Sequence, residues 1–320
     1  MTLAVLCLHL VVTGVLLPRR LAGSARLQAR PAAGAALWIA LMASFAVALL
    51  LTAHHALEPF AHRPAGLLGL LGPLDPFGRL LPAEPAGPVL PHTHDWWLLT
   101  VGGALLTALV TAVGLRTGRA RRRHRAVLDV VGVPDRRWGA LVLEHARPAV
   151  YCLPGRRPRV VLSRGALRLL DERQLAAAVA HEHGHIRGRH HLFRLPADTF
   201  ALLLGPLPLA RLGRSEVALL LEMAADDAAL ERVSRGELAA ALCALATGDP
   251  AAASATSTST APSTATSAEG GGALGVASTG VLARVRRLGR PGTGRRRAVW
   301  RFGVSVLPLL PYLLVCAPHP

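Results

Sequence analysis

The chain has 320 residues, 52% of them apolar and only 17% charged, with a mean hydropathy of +0.39. That excludes an ordinary pair of soluble domains and points to a membrane protein. A formal charge of +17, carried by 36 Arg and no Lys, would suit a nucleic-acid binder, but its distribution argues otherwise. Arg19 to Arg30 holds four Arg, Arg116 to Arg137 eight Arg against two Asp, and Arg284 to Arg301 eight Arg, leaving a net −1 for the rest. Each basic stretch abuts a long apolar run and none carries interleaved aromatics, so the charge reads as a cytoplasmic-loop signal and direct nucleic-acid contact is not expected.

In chain order, Leu3 to Leu17 is a short first span, with Arg19 and Arg20 after it rather than before it, an order that puts the N-terminus outside. Residues 19–31 form an Arg-rich cytoplasmic loop. Ala32 to Ala53 and Trp96 to Leu115 are free of charged side chains and long enough to span. Trp96 and Trp97 at one end of the third run, with Arg116 and Arg119 at the other, orient it from outside to inside. The intervening 54–95 loop has eight Pro, two Arg and four acidic residues, so it lies outside; its His54, His55, His62, His92 and His94 share no ligand spacing and read as a Pro-rich connector.

A cytoplasmic domain follows, over 116–249. Within it Val150 to Ser163, with a turn at Gly155, reads as two short strands, either a purely structural hairpin or one whose exposed edge could hold an extended peptide. Phe200 to Ala210 (FALLLGPLPLA) is too short to span and is predicted to pack on the core or lie at the membrane surface. Residues 250–280, rich in Ser, Thr, Ala and Gly, read as a flexible linker, 281–301 as a basic juxtamembrane segment, and 302–317 as a fourth span containing Pro308 and Pro311. The C-terminus would then lie outside. Cys7, Cys152, Cys243 and Cys316 show neither zinc-ribbon nor redox spacing and are expected to be reduced thiols.

The chemistry is concentrated in Asp171 to His191, DERQLAAAVAHEHGHIRGRHH. Asp171 with Gln174 three positions on is a helix-start signature. On that helix His181 and His185 are about 40° apart around the axis, so both imidazoles can reach one zinc ion, with Glu182 beside them as general base. At this composition a chance HExxH is expected about 0.02 times in the chain. Two residues compete for third ligand. The string also satisfies HExxHxxGxxH, with His191 as ligand after a break at Gly188, though the downstream Met223 sits in a regular helical pattern rather than a turn. The rival is Glu222 in LLLEMAADDAAL, with Asp226 one turn on, placed to hold the N–H of a ligating imidazole.

HEHGH at 181–185 and EMAAD at 222–226, preceded by PAVYCLPGRRPRVVLSRGAL (Pro148 to Leu167), resemble the BlaR/MecR-type membrane zinc metallopeptidases, relatives of the HtpX peptidases. In that pattern the glutamate of ExxxD is the third ligand, which assigns zinc to His181, His185 and Glu222. The resemblance implies a mostly α integral membrane protein, four transmembrane helices with an α+β, gluzincin-like zinc metallopeptidase domain between the third and fourth. It implies a metalloendopeptidase acting on a protein or peptide at a cytoplasmic site, in regulated signalling on a BlaI/MecI-like repressor or on itself. An HtpX-like quality-control peptidase and a non-enzymatic signalling protein with structural zinc are the alternatives. The sensor members carry a penicillin-binding domain after the fourth span, and this sequence ends at Pro320. Direct beta-lactam sensing is therefore not expected.

Overall fold

The computed structural model describes residues 2–61, 96–248, 272–290, 307–311 and 313. Helix α1 (Thr2–Val11) runs through a π-helical turn at Val12–Leu16 into α2 (Leu17–Leu21), together one apolar rod of 20 residues. A bend carrying α3 (Ala25–Gln28) leads to α4 (Pro31–Ala61), and after the 62–95 gap comes α5 (Trp96–Val131). These three rods are the helices long and apolar enough to cross a membrane among the described residues. Polar groups between the first two satisfy one another: His9 Nε2 lies 3.1 Å from the fully buried Ser44 Oγ, and the Thr13 hydroxyl donates to the His9 carbonyl.

Helix α5 does not end where its apolar run ends. It continues through the arginines to Val131, so the expected boundary at residue 116 is no break in the backbone. Its last turns pack on a four-stranded sheet of β1 (Val133–Asp135), β2 (Ala140–Leu143), β3 (Val150–Leu153) and β4 (Arg159–Ser163), in spatial order β1-β2-β4-β3. Strands β2 and β4 pair in parallel, and the other two pairs are antiparallel. Alternation along β4 serves two cores: Val161 faces Leu128 of α5, while Val160 and Leu162 face the helices on the other side. The β3–β4 turn is held by Arg125, which donates to the carbonyls of Leu153, Pro154 and Arg157. Gly155 there adopts φ +148°, and a Cβ on it would collide with that guanidinium.

Helices α6 (Arg164–Leu169), α7 (Glu172–Arg187), α8 (His190–Leu203), α9 (Pro208–Ala229) and α10 (Arg235–Thr247) complete the domain, and α11 (Gly272–Leu288) closes over them. The beginning of α11 corrects the expected linker: 272–280 are helical, while 249–271 lie outside the described residues. Most of the expected fourth span also lies outside them, as do His62, His92 and His94; Leu307 packs against the cluster around Trp38. His54 and His55 lie within α4 with their rings tilted to one another, centroids 5.3 Å apart.

The domain and the apolar rods share one core. Trp38, Leu41, Met42 and Phe45 of α4 pack with Ala197 and Phe200 of α8 and with Leu209, Val217 and Leu220 of α9. The 22–30 bend joins this body through polar contacts, Gly23 N–H to Glu216 (2.9 Å) and Arg287 Nε to the Gln28 carbonyl (2.9 Å).

Candidate metal centre

Helix α7 begins on the capping box its sequence predicts, Gln174 N–H on Asp171 and the Asp171 N–H on the Gln174 side chain. Leu175, Ala178 and Val179 seat it on the sheet, which turns His181, Glu182 and His185 toward α9 and β3. Helix α9 can come close because the contacting residues are small. A Cβ added at Gly184, between the two histidines, would stand 2.8 Å from the Ala225 carbonyl and 3.2 Å from the Ala228 side chain. This glycine lets α9 present Glu222 to both imidazoles.

The result is a convergence of three groups. His181 Nε2 and His185 Nε2 are 3.1 Å apart, and the Glu222 carboxylate oxygens lie 3.3 Å from the first and 3.4 Å from the second. A tetrahedral zinc with bonds of about 2.0–2.1 Å to nitrogen would set two imidazole nitrogens about 3.3 Å apart, so this spacing and donor set fit the ion. Both outward nitrogens are also held. His181 Nδ1 is 3.0 Å from Asp226 Oδ1, and His185 Nδ1 is 2.9 Å from His190 Nδ1. When Nε2 is a ligand Nδ1 carries the proton, so Asp226 and His190 accept hydrogen bonds that fix the rings.

Of the two rivals for third ligand, the structure brings Glu222 to the histidines and leaves His191 apart. Helix α7 does end at Gly188, and Arg189 takes a left-handed conformation (φ 48°), but the residue returned to the site is His190. A Cβ at Gly188 would collide with the His190 ring, so the glycine makes room for it. His191 Nδ1 is buried without a hydrogen-bond partner.

Arg284 of α11 belongs by sequence to a membrane-adjacent basic stretch, but the structure places it in the site instead. It is 7% exposed, with Nε 2.9 Å and Nη2 2.7 Å from the two Asp226 oxygens and Nη1 3.1 Å from Glu222. This forked pair holds Asp226 against His181, which makes Arg284 a positioning residue for the ligand set. Its trace in the sequence is weak: Arg284 lies one turn before the buried Leu288, on the inward side of α11.

The charges sort accordingly. Burial alone would raise the Glu222 and Asp226 carboxyls, but hydrogen bonds from the histidines to Glu222, and from Arg284 and His181 to Asp226, with Arg284's charge beside both, hold them below the usual carboxylate range. Glu182 goes the other way, raised by burial despite the nearby imidazoles. Burial, with the Glu182 charge nearby, pushes the Cys152 thiol on β3 up to about 12, so it stays protonated. Tyr151, one position earlier on β3, turns to the opposite face and pairs with His124 (3.1 Å), while Arg232 is exposed beyond α9.

Residues 115–266 match peptidase family M48. The match covers just under half of the chain and takes in all of α7 and α9, hence the three converging groups; it indicates a metal-dependent peptidase domain. Helix α11, with Arg284, lies beyond it. No curated protein and no solved structure matches the chain.

Two outcomes are expected here. Gly184→Ala should press α9 away from α7, costing about 1–3 kcal/mol in stability by overpacking and weakening metal binding, measured by thermal unfolding and by competition with a chelating dye. In the metal-free protein, burial would lower the His181 pKa, but hydrogen bonds to Asp226 and Glu222 outweigh it and raise it to about 9. A raised histidine stabilises fully below its unfolded value of about 6.5, and the contribution is lost as pH rises through 9. The unfolding temperature of metal-free protein should therefore fall across that window, and metal loading should remove the trend.

Proposed function

We propose that this chain is a membrane-bound zinc metalloendopeptidase whose site faces the cytoplasm. The observation that carries the reading is the convergence of His181 Nε2, His185 Nε2 and Glu222 with Glu182 on the adjoining helix position. Zinc held by these three side chains would supply Lewis acidity for the scissile carbonyl and lower the pKa of an attacking water. Glu182, its pKa raised by burial, would take the proton from that water and give it to the leaving amine. Asp226, His190 and Arg284 would hold the ligands in place. Strand β3 is the sheet edge beside α7, and its free backbone groups would bind an extended substrate as an added strand.

A regulated role, on a BlaI/MecI-like repressor or on the chain itself, is our preferred setting. Its support is the resemblance of HEHGH and EMAAD to the signalling peptidases and the cytoplasmic orientation implied by the three arginine stretches. Broad quality-control proteolysis is the alternative. A purely structural zinc would have no use for Glu182 so placed. Comparing cell proteomes with wild-type and Glu182→Gln protein tests the assignment: one or a few accumulating proteins support regulation, a broad set supports quality control, and no difference rejects a peptidase. A reporter fused after Arg125 that reads as extracytoplasmic would overturn the orientation.

A further inference from the structure

The segment from Thr199 to Ala210 has no charged residue, and it is the turn between α8 and α9. Its surroundings form a ladder up the apolar rods. Leu195 of α8 meets Gly114, two residues before the first arginine of α5. Phe200 packs edge-on against Phe45, with ring centroids 5.9 Å apart, and Leu207 lies beside Gly14 in the middle of the first rod. The chain then returns antiparallel to α4, with Gly213 against Met42 and Trp38 and Leu220 against Gly34. At 1.5 Å per residue, Phe45 is about 20 Å along α4 from Pro31, and Gly14 about 10 Å from Leu21.

We propose that the α8–α9 hairpin is a re-entrant element, its tip buried among lipid acyl chains in the leaflet adjoining the Arg19–Arg30 bend. Three observations converge. The tip's inner side is continuous with the core of the candidate spans, whereas its outer side leaves Leu202 and Leu203 70% and 46% exposed. An uncharged run of 12 residues is too short to cross a hydrocarbon layer of about 30 Å but fits a re-entrant loop. Charge returns on both arms at one level, where Asp198 pairs with Arg214 (2.9 Å) and Arg194 (3.4 Å), a cluster suited to the headgroups. Arg211, exposed one turn behind the tip, can extend its side chain to that level. Glu222 is eight residues beyond Arg214 on α9, about 12 Å farther out. The hairpin thus stations the metal centre at the membrane surface and favours peptide bonds presented there.

The test uses the full chain in proteoliposomes, its four cysteines replaced by Ser. A nitroxide on Leu203→Cys should be relaxed several-fold more by oxygen than by a water-soluble nickel chelate, and one on Arg232→Cys the reverse. Equal nickel access at the two positions overturns the proposal. Wild-type protein reconstituted with a phospholipid bearing an acyl-chain diazirine gives an independent reading: crosslinks within 199–210 are expected, and crosslinks confined to the three rods overturn it. Neither readout depends on peptidase activity.

Discussion

Glu182→Gln is expected to abolish proteolysis while leaving metal bound. The amide keeps the size and shape of the carboxylate, so the packing of α7 against the sheet should be unchanged. What disappears is the ability to accept a proton and return it to the leaving amine. General-base contributions of this kind are worth about 10²–10⁴-fold in rate, so cleavage should fall to background in a gel assay on an unstructured protein substrate. Metal content by atomic emission should stay near that of wild type, because the three converging groups, His181, His185 and Glu222, are untouched. Activity retained in Glu182→Gln would remove Glu182 from the mechanism; loss of the metal would show that its role is structural.

Glu222→Ala is expected to lose the metal itself. Removing an outer partner of a ligand costs about 10–100-fold in metal affinity, and removing one of three ligands should cost more. The variant also leaves Arg284 without one of its two carboxylate partners in a buried site, so a loss of stability should accompany the loss of metal. His191→Ala is the control. Its ring is apart from the converging nitrogens and its Nδ1 has no partner, so metal content and activity should change little. If His191→Ala loses both and Glu222→Ala keeps both, the ligand assignment is wrong. Arg284→Ala should fall between the two, since it frees Asp226 without removing a ligand; rescue by Arg284→Lys would be partial, because an ammonium cannot make the forked contact with both Asp226 oxygens.

Local patterns made much of this legible. HExxH carries its geometry within one helix turn, and the Asp171–Gln174 capping box starts that helix in register. The apolar runs mark the three rods, because crossing a bilayer is a requirement on contiguous residues. The β3–β4 pair was visible as two apolar stretches around Gly155. Strands β1 and β2 were not, because β1 is three residues with two of them exposed, and β2 is defined by parallel pairing with β4, from which β3 separates it in sequence. His190 and His191 show the limit well: adjacent letters, two plausible registers, and the left-handed turn at Arg189 selects the ring that reaches His185.

What the sequence determined by itself was therefore the short-range part: the long apolar helices, the paired histidines with their glutamate, and a choice between two candidate third ligands, since each is a pattern within one stretch of chain. Tertiary structure decided the rest. Glu222 reaches the histidines because Gly184 and the alanines of α9 let two helices touch, Arg284 enters the site across the 58 residues separating it from Asp226, and Leu207 meets Gly14 nearly 200 positions away. Such contacts depend on which faces pack together, and packing is a property of the whole core that no local spacing encodes.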